Sequence, residues 1–65
     1  MEFELKTGPQ GHVYLPKRIR KILGENMILI PNSTVVVVYP NGADLKAVMR
    51  SLGVILSDLK LRASK

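Results

Sequence analysis

A 65-residue chain holds one domain at most, and with no cysteine and a single histidine it lacks the disulfides and structural metal sites that commonly stiffen small folds, so oligomerisation is the device left to it. Ten Lys plus Arg against five Asp plus Glu give a net charge of +5, which suits a polyanionic partner, nucleic acid foremost. No apolar run approaches the roughly 20 residues of a membrane-spanning helix, and MEFELK lacks a signal-peptide core; with the missing cysteine, this leads us to expect a cytoplasmic protein with no membrane partner.

Residues 2–7, EFELKT, alternate Phe3 and Leu5 with Glu2, Glu4 and Lys6, the period of a half-buried strand. GPQG punctuates. A second short strand is expected in HVYL, with Val13 and Leu15 on one face and His12 and Tyr14 on the other; we expect Tyr14 to pack. Pro16 suits the first turn of a helix and Gly24 its close. At about 100° per residue from Lys17, Ile19, Ile22 and Leu23 fall near 200°, 140° and 240°, whereas Lys17, Arg20 and Lys21 fall near 0°, 300° and 40°, with Arg18 at the boundary near 100°. The short helix therefore packs through one side and carries a cationic ridge on the other.

An ordinary solvated helix face would explain such a ridge if acids were interspersed. None is: the nearest, Glu25, lies beyond the helix. Lys17 and Lys21 at i,i+4 repel each other mildly. A face that carries this cost is expected to meet phosphate.

MILI and TVVVVY follow, with a turn marked by Pro31 and Asn32 between them, and both are apolar at nearly every position, as strands covered on two faces are. A lone chain of this length cannot cover them doubly, so a second copy is expected to supply the other layer through intertwined or swapped strands. After PNGAD, the residues Leu45, Val48, Leu52, Ile55 and Leu59 step by three and four, widened by Met49 and Leu56, and predict an amphipathic helix. Asn41 or Asp44 is the expected cap, Gly53 is a candidate break into two short helices, and the tail LKLRASK is expected to fray.

The strand-loop-strand, the motif G-x-V-x-L-P-K-x-I-R-K-x-L-G and the paired strands together resemble the AbrB/SpoVT family over residues 3 to 39, through Gly11, Val13, Leu15, Pro16, Ile19, Arg20, Leu23 and Gly24. The resemblance implies homodimers whose hairpins interleave into a small barrel flanked by two short helices, and a DNA-binding transcription regulator or the DNA-binding half of an antitoxin. Its contacts come from basic residues around the short helix and the loop before the second strand, which implicates Arg20 and Lys21 most directly. His12 stands where the family often carries a basic residue, and its contact strengthens when the imidazole is charged. Lys6 takes the place of the family's loop arginine.

The expected fold class is therefore mainly β with short helices: an intertwined homodimeric swapped-hairpin β-barrel of order β-β-α-β-β plus a C-terminal amphipathic helix. Residues 1–40 are the swapped-hairpin DNA-binding domain and 41–65 a C-terminal helical arm with a basic tail. The expected partner is double-stranded DNA, bound by the homodimer through Lys6, His12, Lys17, Arg18, Arg20 and Lys21, with the arm a candidate for joining dimers into a higher oligomer. The alternative is an antitoxin whose arm binds a toxin; five cations against two acids in residues 43–65 disfavour a basic target. No paired acids, cysteine nucleophile or glycine-rich phosphate loop suggest an enzyme, and no cofactor or metal is expected.

Overall fold

The computed structural model describes residues 2–64; Met1 and Lys65, at the outer ends of the two expected regions, lie outside the described residues. The elements in chain order are a 3-10 turn at Pro9–Gly11, helix α1 (Lys17–Leu23), strands β1 (Met27–Pro31) and β2 (Val36–Pro40), and helix α2 (Leu45–Ala63).

Helix α1 starts where Pro16, at φ −55°, presets the backbone and its carbonyl accepts from the backbone N–H groups of Ile19 and Arg20 at 2.9 and 3.0 Å. It stops at Gly24, whose φ of 73° is costly for any residue with a Cβ. The hairpin pairs β1 and β2 antiparallel, from Met27 opposite Pro40 to Pro31 opposite Val36. Side-chain alternation then puts Ile28, Ile30, Val37 and Tyr39 on one face, with Met27, Leu29, Val36 and Val38 on the other. Between the strands, the Asn32 side chain accepts from Ser33 N–H at 2.7 Å, and Asn32 N–H donates to the Val35 carbonyl at 2.7 Å. Proline, which cannot donate to a ladder, ends both strands.

Asp44 is the cap of α2, its carboxylate accepting from Lys46 N–H at 3.2 Å. The helix runs unbroken through Gly53 to Ala63, so the expected break and the expected fraying of the tail up to that residue are both corrected. Leu, Ala, Met, Lys and Arg are strong helix formers, and over 19 residues they outweigh one glycine costing about 1 kcal/mol. Lys60 and Arg62 lie in the last turn, at the negative end of the helix dipole.

The expectation of a mainly β, swapped-hairpin barrel is overturned. The described residues are mixed α/β and 46 % helical, with one two-stranded hairpin among them. Residues 2–7 and 12–15 form no strand. Gly8 N–H donates to the His12 carbonyl at 2.6 Å around the Pro9–Gly11 turn, yet residues 2–7 and 13–15 make no backbone–backbone hydrogen bond with other described residues. Alternation of apolar and polar residues sets which way side chains point; a strand exists only through hydrogen bonds to a neighbour. Among the described residues, these two segments have no strand partner.

The double burial expected of MILI and TVVVVY is also absent: every residue of β1 is exposed and those of β2 are exposed or half-buried. Leu23 is the only buried apolar residue among those described, at 7 % exposure. The chain's accessible surface of 6111 Å² exceeds by about 2,000 Å² the roughly 4,100 Å² of a compact monomer of its 7.2 kDa mass. Its radius of gyration of 13.3 Å likewise exceeds the roughly 10.7 Å of a compact domain of this length.

Candidate nucleic-acid interface

The ridge depends on how α1 is seated. Leu23 is buried and Ile19 half-buried, so the helix rests on the hairpin through the face that carries them. Ile22, on the expected packing side, is largely exposed and lines an open groove shared with β2 and α2. With α1 anchored on that side, Lys17, Arg18, Arg20 and Lys21 all stand exposed.

Helix stability does not account for all four cations. Arg20 and Lys21, in the last turn, complement the negative end of the helix dipole, but Lys17 and Arg18 occupy the first turn, where a cation opposes the dipole by a few tenths of a kcal/mol. No acid lies in that first turn. Of the acids, Glu2 and Asp58 pair with Arg62, at 2.6 and 3.1 Å, and Asp44 is engaged as the α2 cap. The side chains of Lys6, His12, Lys17 and Lys21 make no hydrogen bond or ion pair with another described residue.

Arg20, by contrast with Lys17 and Lys21, has its head group engaged. One of its Nη2–H groups donates to the Tyr14 hydroxyl at 3.2 Å, and its Cζ lies 5.2 Å from the centre of the Tyr14 ring, within the range of a cation–π attraction. Tyr14 is 75 % exposed, which corrects the expectation that it packs. Lys6 and His12 lie on either side of the Pro9–Gly11 turn; the His12 backbone closes that turn, donating to the Pro9 carbonyl at 3.3 Å and accepting from Gly8, while its imidazole remains exposed. The structure thus joins the four ridge cations on one short helix and leaves the other two on a separate segment.

The arrangement offers exposed point charges from lysine and planar donor forks from arginine, a set that engages phosphate oxygens and base edges. Among the described residues, no cluster of His, Cys, Asp or Glu could hold a metal ion, and no helix is long and apolar enough to cross a membrane. Sequence reasoning missed two side-chain contacts here. Tyr14 and Arg20 are six apart across a proline and a change from extended to helical backbone, so no single period relates them. Arg62 and Asp58 stand at the readable i,i+4 spacing, but Glu2 is 60 residues from Arg62. No family model, curated protein or solved structure matches the chain.

Proposed function

We propose that the protein is a DNA-binding transcriptional regulator of AbrB type that binds double-stranded DNA as a homodimer, with the α1 ridge of each copy as the contact surface. The observation that carries this reading is the exposure of Lys17, Arg18, Arg20 and Lys21 on one seven-residue helix with no acid in its first turn. Arg20 and Lys21 are central, Lys17 and Arg18 support them, and Lys6 and His12 are peripheral contacts from the neighbouring segment.

The homodimer rests on surface area. The excess of about 2,000 Å² over a compact monomer is more than twice the roughly 800 Å² that each partner of a standard interface buries. Large apolar side chains supply much of it, including Leu29, Ile30, Val36, Ile55 and Leu59. A second copy covers apolar surface of this kind and doubles the charge offered to DNA, from +5 per chain.

Two measurements test the reading. Light scattering at micromolar concentration yields a dimer, twice the 7.2 kDa chain mass; a stable folded monomer contradicts the homodimer. Selection of bound fragments from a random duplex pool enriches a motif if the protein is a regulator. Recovery of fragments with no common motif contradicts that role, and failure to retain any duplex contradicts DNA binding itself.

A further inference from the structure

Tyr14 is a large aromatic residue left 75 % exposed, and the contacts observed for its side chain are both with one cation of the ridge. The Tyr14 hydroxyl accepts from Arg20 Nη2–H at 3.2 Å and the ring centre lies 5.2 Å from Arg20 Cζ. An exposed arginine on a solvated helix samples many rotamers, and holding one of them on binding costs free energy. Arg20 differs from Lys17 and Lys21 in having its head group held before any partner arrives. Of the five N–H donors of a guanidinium, the Tyr14 hydroxyl uses one, which leaves four for an anion or a base edge.

We propose that Tyr14 is a positioning residue of the DNA interface: it holds the Arg20 guanidinium in the orientation used for base or phosphate recognition, and so contributes to affinity and base preference without itself being a charged contact. The inference rests on the reading of α1 as a DNA-binding ridge. It assigns to Tyr14, on the extended segment before the helix, a role that neither its charge nor its place in the sequence pattern announces.

The backbone makes this coupling direct. Tyr14 and Arg20 bracket Pro16, whose fixed φ and whose carbonyl, accepting from Ile19 and Arg20 N–H, set the angle at which the extended segment enters the helix. The ring and the guanidinium are therefore carried by two pieces of backbone joined through one rigid residue.

A double-mutant cycle on duplex binding tests the proposal, with the full chain and with Tyr14→Ala, Tyr14→Phe, Arg20→Ala and Tyr14→Ala/Arg20→Ala. Loss of positioning of one arginine weakens binding about three-fold per subunit, hence about ten-fold for the dimer. Tyr14→Phe, which keeps the ring and loses the acceptor oxygen, falls between wild type and Tyr14→Ala. In the Arg20→Ala background, Tyr14→Ala has no further effect, since nothing remains to position. A Tyr14 that instead stabilised the fold or touched DNA independently would weaken binding in both backgrounds by the same factor, which overturns the proposal. So does wild-type binding by Tyr14→Ala when Arg20→Ala binds weakly, and that result leaves the DNA-binding ridge standing. Full duplex affinity in Arg20→Ala and in Arg20→Ala/Lys21→Ala removes the ridge reading, and this inference with it.

Discussion

Leu23→Ala is the substitution with the clearest expected consequence, because Leu23 alone among the described residues is buried and it seats α1. Removing a buried leucine side chain costs about 2–5 kcal/mol, depending on how far the surroundings collapse into the space. The surroundings are open: Ile19 on the same helix is half-buried, and β2, on which α1 packs, has no buried residue. Collapse is therefore easy, and we expect the low end, about 2–3 kcal/mol. At about 0.05–0.15 kcal/mol per residue, a chain of 65 residues has about 3–10 kcal/mol to lose. A fall of about 10–20 °C in Tm follows for a domain of this size. Thermal melts followed by circular dichroism, with the protomer concentration held constant because a dimer melts in a concentration-dependent way, read this directly. Leu61→Ala is the control, since Leu61 is 68 % exposed and points away from the α2 stripe; it should move Tm by no more than about 3 °C. Equal small shifts in the two variants would refute the assignment of Leu23 as the anchor of the ridge.

Other outcomes follow from the ends of the helices. Gly24→Ala forces a Cβ into φ 73°, ψ −160°, a region essentially restricted to glycine; since no other atom lies within 4 Å of that Cβ, the cost is backbone strain alone, about 1–3 kcal/mol, and a chemical denaturation midpoint equal to wild type would contradict it. Asp44→Ala removes the acceptor for Lys46 N–H and should cost about 1 kcal/mol, with loss of helical signal from the first turn of α2 in backbone NMR. Arg62→Ala should cost less than about 1 kcal/mol in a melt, because both its ion pairs are exposed.

The helices and the hairpin were legible because each is decided by residues close in sequence. Pro16 and Gly24 bracket α1, the three-and-four spacing from Leu45 to Leu59 marks α2, and Pro31 and Asn32 between two apolar runs mark the turn of the hairpin. What failed was the step from local pattern to long-range pairing. The alternation in EFELKT and HVYL concerns only which way side chains point, and among the described residues neither segment pairs with a strand. Gly53 does not break α2, because the propensity that decides is summed over the whole helix rather than residue by residue. The basic ridge was legible down to its four residues because angular position on a helix follows from spacing alone. The bond between Tyr14 and Arg20 was not, since it depends on the angle between an extended segment and a helix.

The most direct test of the proposal that the ridge binds DNA is the salt dependence of duplex affinity for the wild-type protein and for Arg20→Ala/Lys21→Ala. If the dimer neutralises about six to eight phosphates, log K should change with log salt at a slope of roughly −5 to −7, because each contact releases nearly one counterion. The double variant, which removes two cations from each subunit, should bind more weakly at all sequences and show a slope shallower by about two to four units. Wild-type affinity and an unchanged slope in a correctly folded double variant would contradict the account and make the ridge a solvated face.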